Sequence, residues 1–291
     1  MSQPTQRWTR AEKLDAERMA HALYDQTGIA LAVEGPCPGG QVGASYVRRP
    51  NGRRSVLTVA AGPLADLRAG PLAVVDALRA IGYPAPATEI AVQVDAGVVI
   101  VQELLPGVQI DRLDQRGLRQ ALALNRLQAG ILADHHDIPL AKLYLDSDGP
   151  GFCLHEPLRQ HNRRTAALER RIAAVAHDCP DYLVGNDAMH MDFHPGNMLT
   201  DGEVITGVVD WDAASRGDRH FDLVTLRFGI HADRPDDDVV RELDAVLDAV
   251  PEEVLRPAWA GMSLRMTDWA IRHFSPDDVE HWLDLAEQRV W

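Results

Sequence analysis

The chain has 291 residues, 46% of them hydrophobic and 25% charged, with a formal net charge of −14. That balance suits a soluble, enzyme-sized protein, and no apolar run approaches the roughly eighteen residues of a membrane span. Residues 1–105 hold ten Lys+Arg and ten Asp+Glu, so all the excess acidity lies in residues 106–291, a field that repels nucleic acid and attracts cations.

The opening stretch MSQPTQRWTR has no apolar h-region of a secretory signal. Cys37, Cys153 and Cys179 show no paired spacing, which points to a reducing cytoplasm rather than a disulfide framework. Residues 9–27 predict a helix, with Thr9 and Glu12 as a capping box and Gly28 closing it. Residues 28–62 read as strand, glycine loop, strand, tight turn, strand, and Asn51-Gly52 predicts a two-residue hairpin. Residues 71–81 predict a short helix, with Pro71 near its start and Gly82 beyond its end. GVVIVQELLPG, residues 97–107, reads as a buried strand followed by a break. Beyond it, helical periodicity covers roughly 114–133, 156–177, 220–230, 236–249, 253–273 and 276–290. Residues 182–212 are the exception, with two short strands around GEVITGVVD. The texture is a small β-rich lobe, residues 1–105, joined near 102–107 to a larger helical lobe, residues 106–291.

MHMDFHPGNML, residues 189–199, carries two histidines, an aspartate and an asparagine. VVDWD, residues 208–212, follows. One reading is a metal site, since His190, Asp192 and His194 alternate as on one strand face. Pro195-Gly196 breaks such a strand. A bland reading makes the histidines hydrogen-bonded loop residues. A third uses every piece. Phosphoryl transfer needs one carboxylate to orient a hydroxyl, with a second carboxylate and an amide oxygen to hold magnesium. Asp192 and Asn197 have the kinase spacing D-x-x-x-x-N, and Asp210 ends a later apolar run.

HMDFHPGNML followed by GVVDWDAASRGDRHFDL resembles the catalytic segment of the aminoglycoside phosphotransferase and choline kinase family. The residues that carry the resemblance are His190, Asp192, Asn197, Asp210, Trp211, Gly217, Asp218, Asp222 and Leu223. The resemblance implies an α+β, protein-kinase-like two-lobed fold and a magnesium-dependent transfer from ATP or GTP to a small-molecule hydroxyl. An antibiotic is the expected acceptor. The alternatives are a metabolic acceptor such as choline or an amino alcohol, and a pseudokinase that only binds nucleotide. Asp192 is then the catalytic carboxylate, Asn197 and Asp210 hold Mg2+, and His190, His194 and Asp222 support the loop. The expected nucleotide-binding residues are Gly39 and Gly40 of the glycine loop, Ser45, Thr58, Gln102 and Glu103. The partners implied are a nucleoside triphosphate and a hydroxylated substrate that acidic groups would let be cationic. Asp233, Asp268, Trp269 and His273 are the substrate-binding candidates, beside the plainer readings of acidic helix caps and core aromatics.

The chain also departs from the pattern. The family's third-strand lysine falls near Thr58, and the glutamate that pairs with it near Val74. Losing both together is coherent, because one charge buried without its partner is costly. Arg53, Arg54, Asp76 or the backbone amides around Gly39-Gly40 are the candidate replacements.

Overall fold

A computed structural model of the chain describes residues 13–39, 43–149, 152–179, 183–232 and 235–289. The first helix, α1 (Ala16–Thr27), is followed by β1 (Ala32–Pro36), β2 (Ser45–Arg48) and β3 (Arg54–Ala60). Two short helices, α2 (Leu64–Ala69) and α3 (Pro71–Ala80), lead to β4 (Thr88–Val94) and β5 (Gly97–Glu103). These strands form one antiparallel sheet in the order β1-β2-β3-β5-β4. The larger part holds α4 (Gln115–Leu127), α5 (His155–His161), α6 (Arg163–Asp178), α7 (His220–His231), α8 (Asp237–Leu247), α9 (Glu252–His273) and α10 (Pro276–Ala286). Short strands are set among them: β6 (Val108–Gln109), β7 (Asp187–Met189), β8 (Met198–Thr200), β9 (Ile205–Val208) and β10 (Ser215–Gly217). The fold is therefore α+β, a small antiparallel lobe beside a larger helical one. Among the described residues no helix is long and apolar enough to cross a membrane.

The unbroken apolar run in β5 follows from its place in the sheet. Val99 and Val101 pack with Val47, Leu57 and the α1 residues Met19 and Leu23. Val98 and Ile100 pack on the opposite face with Ala60 and Leu67. A strand covered on both faces needs apolar side chains at every position rather than at alternate ones. In the helical lobe, Trp259, Phe221, Phe228 and Trp282 anchor one continuous core.

Several expected boundaries move. Thr9 and Glu12 lie outside the described residues, and the described helix starts later, at Ala16, where Asp15 accepts a hydrogen bond from the Arg18 N–H. The Asn51-Gly52 turn is wider than a two-residue hairpin. Gly52 N–H donates to Arg49 O and Arg49 N–H to Arg53 O, each at 2.9 Å. Pro50 takes the second turn position, and Gly52 alone goes left-handed, at φ +82°. Residues 156–177 split into α5 and α6, because Asn162 and Thr165 make a reciprocal capping box in the middle of the stretch. Two elements, α2 and β4, add to those expected from the sequence.

Candidate active site

The β8–β9 hairpin sets the geometry of the site. Met198 pairs with Val208, and just beyond that pair Val209 N–H donates to Asn197 O at 2.9 Å. Asn197 and Asp210 thus leave the same end of one hairpin, although thirteen positions separate them in sequence. Asp210 takes a left-handed conformation, φ +67°, which aspartate tolerates better than most side chains. The residue is exposed, and its carboxyl bonds to no donor among the described residues.

The loop before Asn197 is held from below. Asp222, fully buried near the start of α7, accepts from His190 N–H at 2.7 Å, Met191 N–H at 2.9 Å and Gln128 Nε2–H at 2.9 Å. Burial outweighs the three donors that converge on its carboxyl and pushes it up to about 7. His190 is fully buried against Trp211, with ring centroids 4.3 Å apart. Its Nδ1 accepts from Asp192 N–H at 3.2 Å, so Nε2 carries the proton and donates to Val209 O at 2.9 Å. Burial depresses the His190 pKa to about 4 and keeps the ring neutral at pH 7. Gly229 lets α7 seat directly under this loop, since a Cβ there would collide with His194 and Pro195. Replacing Asp222 with alanine orphans three buried donors, each costing roughly 1–3 kcal/mol. We expect a loss of stability on the order of 3 kcal/mol or more, read as a lower urea midpoint. A shift of less than about 1 kcal/mol would mean the loop holds itself.

Asp192 stands at the tip. Arg265 of α9 donates to its Oδ1 at 2.8 Å and to Met191 O at 2.7 Å. Asn197 Nδ2 donates to Asp192 O at 2.9 Å and lies 3.3 Å from its Oδ2. His194 Nδ1 accepts from Gly196 N–H at 3.1 Å, which turns its Nε2 toward Asp192 Oδ2 at 3.5 Å. Burial works against the charged form of Asp192, yet Arg265 and then His194 outweigh it and hold the carboxyl well below the usual range. Asp210 moves the other way, raised first by desolvation and then by the charge of Asp192. Asp212 is exposed, beside Asp210, and Trp211 is core, with its Nε1–H donating to Val208 O at 2.8 Å.

The other expected residues scatter. Gly39, at φ +77°, lies over Gln109, whose Nε2 donates to Gly196 O at 2.9 Å. The glycine loop therefore reaches the catalytic loop. Gly40 lies outside the described residues. Ser45 pairs with Leu57 on the face under α1, and its hydroxyl donates to Gly35 O at 2.8 Å. That orientation turns Ser45 away from Thr58, which sits on the opposite face across from Ile100. Thr58 Oγ1 is buried without a hydrogen-bond partner, and Val74 is fully buried. Gln102 sits between Val56 and Thr88 in the sheet. The Glu103 carboxylate is taken by Arg79 Nη1 at 3.0 Å and Ala87 N–H at 3.1 Å, and its own N–H by Ala87 O. Neither group is left for a nucleotide.

The candidate replacements for the strand lysine are engaged elsewhere too. Arg53 pairs with Glu89 and Arg54 with Glu34, each at 2.6 Å, and Asp76 is exposed. On the substrate side, Asp233 lies outside the described residues. Asp268 is buried and accepts from Arg272 Nε through both oxygens, at 2.8 and 2.9 Å, so it offers no open carboxylate. Trp269 and His273 are half-buried, with rings 4.0 Å apart.

Arg265 was missed in the sequence. It lies 73 residues from Asp192 and outside every recognisable motif. One signal was there to find, since Arg265, Trp269 and His273 follow at four-residue steps and so share a helix face.

The model of the phosphotransferase enzyme family matches residues 35–264. Solved structures of similar fold include a thermostable mutant of aminoglycoside phosphotransferase APH(4)-Ia in ternary complex with ADP and hygromycin B. It is 18% identical, with a TM-score of 0.60, over 93% of this chain and 97% of that one. The GDP and kanamycin complex of APH(2")-IIia is 14% identical, with a TM-score of 0.58, over 94% and 98%. Aminoglycoside phosphotransferase APH(3'')-Id from Streptomyces rimosus ATCC10970 is 18% identical, with a TM-score of 0.51, over 96% and 99%. No curated protein matches the chain by sequence. A two-lobed kinase-like fold with this loop between its lobes defines a small-molecule phosphotransferase, a kinase of hydroxyl groups. The chain belongs to the phosphotransferase enzyme family.

Proposed function

We propose that the protein transfers the γ-phosphoryl group of ATP or GTP to a hydroxyl of an antibiotic, with magnesium, and so inactivates it. The observation that carries this reading is the convergence of Asp192, Asn197 and Asp210 at one end of the β8–β9 hairpin. Asp192 orients the acceptor hydroxyl. The acceptor oxygen bonds to the γ-phosphorus, the bond from phosphorus to the β–γ bridging oxygen breaks, and the nucleoside diphosphate leaves. The hydroxyl proton passes to Asp192 or to water.

Asn197 Oδ1 and the Asp210 carboxylate suit a hard cation, because both are oxygens and neither accepts a hydrogen bond among the described residues. Among those residues no three His, Cys, Asp or Glu side chains form a metal cage. That fits magnesium, which takes one or two protein ligands and completes its shell with phosphate and water. When bound, magnesium would neutralise the phosphate oxygens.

Trp269 and His273 lie one and two steps along α9 from Arg265 and form a partly exposed ring surface. A ring-bearing acceptor would pack on it. Nucleotide complexes of similar folds support the nucleotide co-substrate. A metabolic alcohol remains the second reading, and the same assay separates the two. Purified protein, magnesium, ATP or GTP and a panel of aminoglycoside, peptide, macrolide and nucleoside antibiotics are incubated and weighed by mass spectrometry. We expect one antibiotic to gain a single phosphoryl group. Nucleotide turnover with every antibiotic unchanged would replace the antibiotic by a metabolic acceptor.

A further inference from the structure

Arg265 is the one arginine or lysine that bonds to residues 190–197 among the described residues. Its two terminal nitrogens divide their work. Nη2 meets Asp192 Oδ1 at 2.8 Å and Nη1 meets Met191 O at 2.7 Å. Met191 is itself left-handed, φ +69°, an uncommon conformation for a residue with a side chain. That turn is fixed at both ends, its N–H by Asp222 and its carbonyl by Arg265. A rigid two-pronged guanidinium can hold a carbonyl and a carboxylate at once, where an ammonium makes a single-point contact.

The packing of α9 does not call for an arginine here. Its side chain is 41% exposed, while Gly261, Leu264 and Thr267 provide the buried side of the helix. The helix is pinned by other contacts, Arg256 to Asp178 at 2.9 Å and Arg272 Nη2–H to Cys153 O at 2.6 Å. On the small-lobe side, β3 carries Thr58 where a lysine is expected, and Arg53 and Arg54 at its start face Glu89 and Glu34.

We propose that Arg265 is a positioning residue for phosphoryl transfer, holding Asp192 and the Met191 peptide in the orientation that receives the acceptor oxygen and bringing to the site, from the helical lobe, the positive charge its strand lacks. This rests on the reading of Asp192 as the group that orients the hydroxyl.

The test uses the full chain with magnesium and γ-labelled nucleotide. Phosphate release to water is followed alone and then with any acceptor that the transfer assay yields. Arg265→Ala, Arg265→Gln and Arg265→Lys are compared with the wild type. We expect kcat to fall by roughly 10²-fold in the alanine and glutamine variants, the scale of losing one preorganised donor. The nucleotide KM should stay within about threefold, as for an interaction used in the transition state rather than in binding. The lysine variant should recover part of kcat, and millimolar guanidinium should rescue Arg265→Ala where equal urea or sodium chloride does not. A merely structural arginine would show neither form of rescue.

Variant rates at the wild-type level, or faster release as from a removed plug, would overturn the role of Arg265. So would a fall that guanidinium and lysine both fail to relieve. A wild type that binds nucleotide yet never releases or transfers phosphate would instead overturn the parent reading, and the role of Arg265 with it.

Discussion

Asp192→Asn is expected to lower phosphoryl transfer by about 10²- to 10⁴-fold, the range that a positioned acid–base group contributes. The substitution keeps the shape of the side chain and removes its charge. One oxygen remains to accept from Arg265, while the amide nitrogen faces the Asn197 and His194 donors, so only the contacts to Oδ2 are lost at the tip. The bonds that fix the loop lie deeper, at Asp222 and His190, and are untouched. The loss should therefore appear in kcat, with nucleotide affinity changed by no more than a few-fold. Mass-spectrometric transfer and calorimetric titration with the nucleoside diphosphate measure the two quantities separately. Because Asp192 is held well below the usual carboxylate range by Arg265 and His194, it is ionised throughout the physiological range. It is a weak base in the resting site and serves first to aim the hydroxyl. A variant with more than about a tenth of wild-type kcat would show that aiming is done elsewhere.

The part of the site that sequence makes legible is the part built from one continuous segment. Residues 190–222 contain a hairpin and its flanking loops, so the spacing of Asp192, Asn197 and Asp210 is nearly a statement of geometry. Asp222 could be placed as a tie because it opens α7, one turn after the last loop. What spacing does not record is contact between distant elements. Arg265 reaches Asp192 only because α9 passes over the catalytic loop, a matter of helix packing with no local signature.

The same limit applies to the small lobe. Spacing offers Ser45 as a hydroxyl near the phosphates and Thr58 as the position of the family's strand lysine, without their faces. The pairing of Ser45 with Leu57 puts them on opposite faces, since neighbouring strand residues alternate. Glu103 stands at the connection between lobes, and its partner Arg79, on α3, leaves no signature in the spacing. The Asn51-Gly52 signal was sound as a turn but silent about Pro50, which shifts the turn by one position.

Asp210→Asn is expected to remove magnesium-dependent nucleotide binding without harming the fold. The charge balance of the cleft gives the reason. Asp192, Asp210 and Asp212 converge there, and among the described residues Arg265 is the only arginine or lysine bonded to the transfer loop. A triphosphate brought to these carboxylates needs a divalent cation between them, and Asp210, set beside Asn197 by the hairpin, is the carboxylate placed to hold it with that amide oxygen. We expect affinity for the nucleotide to fall by at least about a hundredfold, roughly 3 kcal/mol. Chelation should do the same to the wild type. Asparagine tolerates the left-handed backbone at position 210, so the substitution adds no strain. It also removes a carboxyl whose charge is opposed by desolvation and by Asp192. The nucleotide-free variant should therefore melt at or above the wild-type temperature, as happens where a site keeps unfavourable groups for the sake of its ligand. Unchanged binding with unchanged magnesium dependence would remove Asp210 from the metal site. A destabilised variant would mean that its carboxylate belongs to the scaffold.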